Sequence, residues 1–178
     1  NTVPNFALED VIAKAFQTVG VPTYTAEERA YAKKFKDSFS VEDQLSDIPF
    51  GIADIMKLRE NIKNSEICDY VVETIHTDHC EMGSTDVGDV SWLTPTAQIH
   101  VAAWPNGCPG HSWQNVSCDR TEIGHKAALC AGKVLAATAI DLFEDTSLLD
   151  EARAEFEKRT KSGFVCPIPA DAVPVIPD

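Results

Sequence analysis

The 178-residue sequence predicts an α/β protein, a mixed sheet flanked by helices. Two stretches of strand composition, 69–77 and 96–104, stand between runs whose apolar residues recur at helical spacing. The longest of those runs, 119–143, is rich in alanine and glycine, so a sheet or another helix can approach its backbone closely.

The elements follow in order along the chain. Phe6, Val11, Ile12, Ala15 and Val19 share one face of a short helix that Gly20 and Pro22 stop. Thr25 with Glu28 three residues on forms a capping box, and the helix it opens runs to about Phe39. Residues 1–45 thus form a helical hairpin leading into a main body of 46–178. The acidic, polar stretch 40–50, closed by Pro49 and Gly51, is a connecting loop.

Ile55, Leu58 and Ile62 predict a further helix within 52–62. Val71, Val72, Thr74, Ile75 and Thr77 mark the first strand as β-branched, and Ala97, Ile99, Val101 and Ala103 alternate along the second. Ile123, Ala127, Cys130, Val134 and Ala137 carry the long helix, with Asp119 or Thr121 at its start. A last helix spans about 147–161. Pro167, Pro169, Pro174 and Pro177 keep the tail out of any sheet interior.

Composition removes several functions. A net charge of -13 and a pI near 4.7 repel phosphate backbones and anionic lipid, which argues against nucleic-acid and membrane partners. No apolar run approaches the roughly 20 residues that span a bilayer, so a soluble, cytoplasmic protein is expected. Six cysteines without C-x-x-C spacing read as reduced, mostly buried thiols.

Three stretches carry groups suited to chemistry. Gly83-Ser84-Thr85-Asp86-Val87-Gly88-Asp89-Val90-Ser91-Trp92 sits between the strands, and its glycines, hydroxyls and carboxylates suit a polar ligand. The plainer account is a capped turn in which Asp86 and Asp89 bond neighbouring amides. Pro109-Gly110-His111-Ser112-Trp113 lies between a strand and a helix, where a neutral imidazole can ligate zinc or act as a base. A hydrogen-bonded structural histidine is the alternative there.

His76-Thr77-Asp78-His79-Cys80 brings three ligand types together, but in a strand His76 and His79 point to opposite faces. Solvated strand-end residues are the better reading. His125, one turn inside the long helix, reaches the cleft of His111 only if that helix starts there. His100 alternates with Ile99 and Val101, faces the other way and has no assigned role.

Taken in order, the Gly83–Trp92 loop, Pro95-Thr96-Ala97, Pro109-Gly110-His111-Ser112-Trp113 and His125-Lys126 before an alanine-rich helix resemble the aminoacylase and carboxypeptidase family of dinuclear metallopeptidases. Within it the likeness is to the aminobenzoyl-glutamate hydrolases, over Pro4 to about Leu142. In that family a two-metal catalytic domain, phosphorylase/hydrolase-like in fold, is interrupted by a lid domain that also mediates dimerisation. The resemblance covers only the second catalytic segment, without the lid.

The resemblance implies that His111 is the last metal ligand and that Gly83, Ser84, Thr85 and Asp86 line the substrate pocket. The other ligands and the water-activating glutamate come from the family's first segment, so no catalytic residue is assigned here. It further implies two divalent ions, zinc or manganese, in the complete enzyme, and none held by this chain alone, because one histidine does not make a catalytic zinc site. The implied partners are the N-terminal segment, a second copy in a homo-oligomer, and an N-acyl amino acid, aminobenzoyl-glutamate or small dipeptide whose amide is cleaved. The competing expectation is a non-catalytic binding or assembly subunit, or a degenerate remnant. An isolated segment should expose the apolar surface that its missing half would cover.

Overall fold

A computed structural model describes the chain except for residues 47, 80–82, 84, 167, 170 and 174–178. Eight helices form among the described residues: α1 (Phe6–Val19), α2 (Ala26–Lys36), α3 (Val41–Gln44), α4 (Ile55–Asn64), α5 (Val87–Ser91), α6 (Trp113–Asp119), α7 (Glu122–Glu144) and α8 (Ser147–Arg159). No sheet forms among them. The expected mixed sheet is therefore overturned, and the described chain is helical.

The reason is visible in the two predicted strands. Among the described residues, 69–77 pair with other backbone only around an isolated antiparallel bridge between Ile52 and Thr74, flanked by Ala53 N–H to Glu73 O at 3.0 Å and Ile75 N–H to Gly51 O at 2.7 Å. Residues 96–104 keep the burial alternation of a strand, with Ala97, Ile99 and Val101 half-buried and Gln98 and His100 exposed. Their N–H groups meet no partner among the described residues. β-branched composition and alternation favour extended backbone, but a sheet also needs neighbouring strands to complete its ladder.

Local signals hold where they are self-contained. Asn5 caps α1 by accepting from Leu8 N–H, and at α2 the predicted capping box has both bonds, Thr25 with Glu28 and Glu28 with Thr25. Thr121, rather than Asp119, caps α7. Residues 40–50 contain a helix not expected there, α3, with a box of its own between Ser40 and Asp43.

α1 packs on α7 and α8. Ile12 and Ala15 of α1 meet Cys130 and Val134 of α7, and Ala97, Ile99 and Val101 close over the same cluster. The long helix thus rests on α1 and an extended segment where a sheet was expected. A second cluster joins Ala32, Ile67 and Ile123, with Tyr24, Tyr31 and Ala102 against it, and the Tyr24 hydroxyl donates to Ala102 O at 3.0 Å.

Polar ties set the remaining elements. Buried Asn5 donates to Ala152 O at 2.8 Å, and Glu155 of α8 accepts from Ala7 N–H at 2.9 Å at the positive end of α1. Lys126 of α7 meets Glu28 at 2.7 Å, fastening α2. Lys36 is buried and donates to Lys63 O in the last turn of α4 and to Ser65 O at its C-cap. No helix among the described residues is long and apolar enough to cross a membrane.

Candidate functional site

The loop that carries His111 is anchored on both sides. Pro105 is fully buried, and the side chain of buried Asn106 donates to Asn61 Oδ1 at 2.9 Å while its N–H reaches Glu66 O at 2.9 Å. Gly107 follows at φ 70°, pressed so closely on Gln44 that a Cβ there would overlap its Cα and Cβ. Cys108 closes a turn onto Pro105 O, and its Sγ lies 3.5 Å from Ser112 Oγ.

Downstream, Ser112 accepts from Asn115 N–H at 3.2 Å and caps α6. The ring of Trp113 meets Phe35 edge to face at 5.7 Å. Between these anchors His111 is exposed, and its backbone is left-handed at φ 56°, the one non-glycine residue among those described with positive φ. Its ring makes no hydrogen bond or ring contact with any described residue. The anchored loop thus holds an unpartnered imidazole in solvent, on backbone that a non-glycine residue seldom adopts.

The second predicted site is a turn. Thr85 Oγ1 accepts from Val87 N–H at 3.3 Å and Thr85 O from Gly88 N–H at 3.2 Å, opening the single turn of α5. Asp86 stands at the N-cap without a side-chain bond, so Thr85 does the capping that the plainer account assigned to the aspartates. Gly83, Thr85 and Asp86 are exposed, and Ser84 lies outside the described residues. At its end α5 is tied to the amino terminus: buried Ser91 accepts from Val3 N–H at 2.8 Å and Trp92 Nε1 donates to Asn1 O at 3.1 Å.

No hydrogen bond or ring contact joins His111 to Gly83, Thr85 or Asp86. Of the other histidines, His76, His79 and His125 have structural partners, whereas His100 is exposed and, like His111, makes no hydrogen bond or ring contact with a described residue. His76 stacks on Phe6 at 4.3 Å and bonds Asp10 at 2.8 Å, His79 lies 3.7 Å over Phe50, and Asp78 meets Arg159 at 2.7 Å. Cys80 lies outside the described residues. His125 bonds Glu122 at 3.2 Å, on the rim of a groove of about 400 Å³ between α7 and the 101–103 backbone. His111 does not line that groove.

Among the described residues no three histidine, cysteine, aspartate or glutamate side chains gather as a metal site. His111 therefore fits a metal as one donor, not as a site. The described cysteines are free thiols: Cys108, Cys118 and Cys130 are buried, Cys68 is half-buried and Cys166 is exposed. Burial pushes the Cys118 thiol up to about 11, which leaves it protonated and a poor nucleophile at neutral pH.

One polar cleft, of about 480 Å³, escapes a reading of the sequence because its residues lie on α2, α4 and the 65–70 segment. Arg29 bridges Glu66 at 3.7 Å and Asp69 at 3.1 Å on its wall, and Lys57 lies 4.3 Å over the Tyr70 ring. The buried Tyr70 hydroxyl has no partner among the described residues.

Sequence comparison makes the chain a relative of a hydrolase. It is 35% identical over 181 residues to a subunit of p-aminobenzoyl-glutamate hydrolase from Escherichia coli (strain K12), in a match that takes in 97% of this chain and 37% of that protein. The kinship expected from the ordered motifs is borne out. The chain spans little more than a third of that relative's length. No family model matches the chain, and no solved structure does.

Proposed function

We propose that this chain is the carboxy-terminal part of a metal-dependent amidohydrolase, with His111 as one ligand of a centre completed by polypeptide outside the sequence. The 35% identity to a hydrolase subunit across nearly the whole chain carries this reading. The exposed, unpartnered ring of His111 on left-handed backbone supports its part in it. Gly83, Ser84, Thr85 and Asp86 line the substrate pocket, the exposure of the described ones and the single cap made by Thr85 leaving the Asp86 carboxylate open to a ligand.

The substrate is an N-acyl amino acid, aminobenzoyl-glutamate or a small dipeptide. A pair of divalent ions, zinc or manganese, supplies Lewis acidity toward an amide carbonyl and an acidic water when bound in such a centre. This chain's share is to aim one imidazole nitrogen from a loop that Asn106 and Ser112 hold at either side. Alone it offers too few donors for a catalytic site and is inactive. A homo-oligomer of the complete enzyme, in the cytoplasm, completes the proposal.

The test is His111→Ala in the complete enzyme, with metal content measured by mass spectrometry beside amide hydrolysis. Loss of metal and a fall in activity of about 10²-fold or more are expected for a lost ligand. Unchanged occupancy and activity would reject the ligand role.

A further inference from the structure

α4 turns Leu58 and Ile62 into the fold and lines the polar cleft of about 480 Å³ with Lys57, Glu60, Asn61 and Asn64. The rest of its wall comes from α2 and the 65–70 segment, and that wall is braced from within. Arg29 Nη2 donates to Asp69 Oδ2 at 3.1 Å and its Nη1 to Ser65 Oγ at 3.4 Å, while Asn61 Nδ2 donates to Asp69 Oδ1 at 3.1 Å. These groups support one another, so the wall is formed before any ligand arrives. A cleft of this volume suits a small molecule.

Other groups on the cleft are uncommitted. Among the described residues no hydrogen bond or ion pair reaches the side chains of Lys57, Glu60 and Asn64, which follow one face of the helix at steps of three and four. Beside them the Tyr70 hydroxyl is buried and finds no acceptor among the described residues. Burial pushes this phenol above its ordinary value, so it is a donor at neutral pH. The Lys57 ammonium lies 4.3 Å over the same ring. A solvated helix face accounts for exposed polar side chains, but it leaves an enclosed donor without a partner.

The charges select the ligand. Glu60, Glu66 and Asp69 oppose a simple anion, and Lys57 and Arg29 oppose a simple cation. A molecule carrying both signs satisfies both. Lys57 and Glu60 stand one turn apart, with Cβ atoms about 5–6 Å from each other, close enough to engage the adjacent carboxylate and ammonium groups of one molecule. We infer that this cleft binds a free amino acid, its carboxylate between the Lys57 ammonium and the Tyr70 hydroxyl and its ammonium on Glu60. The inference stands apart from the metal-ligand role of His111. Asn61 and Ser65 nevertheless connect the two places, since both also hold Asn106 at the root of the His111 loop.

The test titrates this chain with L-alanine, L-glutamine and L-glutamate in turn and follows its backbone amide signals by NMR. Expected is saturable binding of at least one of the three, with the largest shifts at 57–70. For the tightest of them, the N-acetyl derivative and the α-carboxamide each bind about tenfold or more weakly, because each lacks one of the two charges. Lys57→Met, Glu60→Gln and Tyr70→Phe weaken binding about fivefold or more, while Glu157→Gln, exposed on α8, leaves it unchanged. Tyr70→Phe removes an unpaired buried hydroxyl and keeps the ring, so the fold tolerates it, and circular dichroism verifies that every variant folds. Shifts that fail to saturate for all three amino acids, blocked derivatives that bind as tightly as the parent, or indifference to both Lys57→Met and Tyr70→Phe would each overturn the inference. So would saturable binding whose shifts lie away from the cleft.

Discussion

At His111 the backbone holds φ 56°, a conformation that costs a non-glycine residue on the order of 1 kcal/mol. His111→Gly should therefore raise the stability of the chain by about 0.5–1 kcal/mol, read by denaturant unfolding, while removing the proposed metal donor. His111→Ala keeps the strain and should leave stability within about 0.5 kcal/mol of the parent. A glycine variant no more stable than the alanine one would show that the backbone at this position carries no such strain. The residue type and its glycine neighbour were legible in the sequence. The left-handed backbone was not, because it arises from anchors at Asn106 and Ser112, the first of them a contact across the fold.

At the scale of elements, α1 and α8 are joined by a charge at a helix end. Burial pushes the Glu155 carboxyl up, but the Ala7 and Phe6 amides and the Arg159 guanidinium outweigh it and hold the group below its ordinary 4.5. Since the folded value is depressed, this stabilisation is whole above the ordinary value and is lost as pH falls through the depressed one. Glu155→Gln should cost about 1 kcal/mol at neutral pH and flatten the acid limb of the stability profile. An unchanged acid limb would contradict that sign. The α6–α7 turn is equally specific: a Cβ on Gly124 would collide with the Asp119 backbone, so Gly124→Ala should lower stability by about 1–3 kcal/mol in thermal unfolding.

The same scale separates what the sequence could disclose from what it could not. α1, α2, α7 and α8 were legible because caps and apolar spacing act within one segment, as the reciprocal bonds of Thr25 and Glu28 show. Ala97, Ile99 and Val101 were correctly placed on one side of an extended run. Their alternation says nothing about whether a neighbouring strand exists, and the sheet inferred from it fails for that reason. α6 was missed because Pro109 and Gly110 read as loop up to the Ser112 cap.

For the whole molecule, helices whose apolar faces exceed the core they enclose fit a chain that matches 37% of a longer hydrolase subunit. The kinship was legible because the order of motifs along the chain is itself a specific signal. The candidate site was legible only in part: His111 and the described residues of the 83–86 turn are exposed, and no hydrogen bond or ring contact joins them. The most direct measurement of the central claim is hydrolysis of aminobenzoyl-glutamate by this chain, by the unmatched portion of the Escherichia coli protein, and by the two co-expressed with divalent metal. Activity in the pair and in neither part alone is predicted. An assembled, metal-loaded pair without activity, or activity that does not require this chain, would contradict the account.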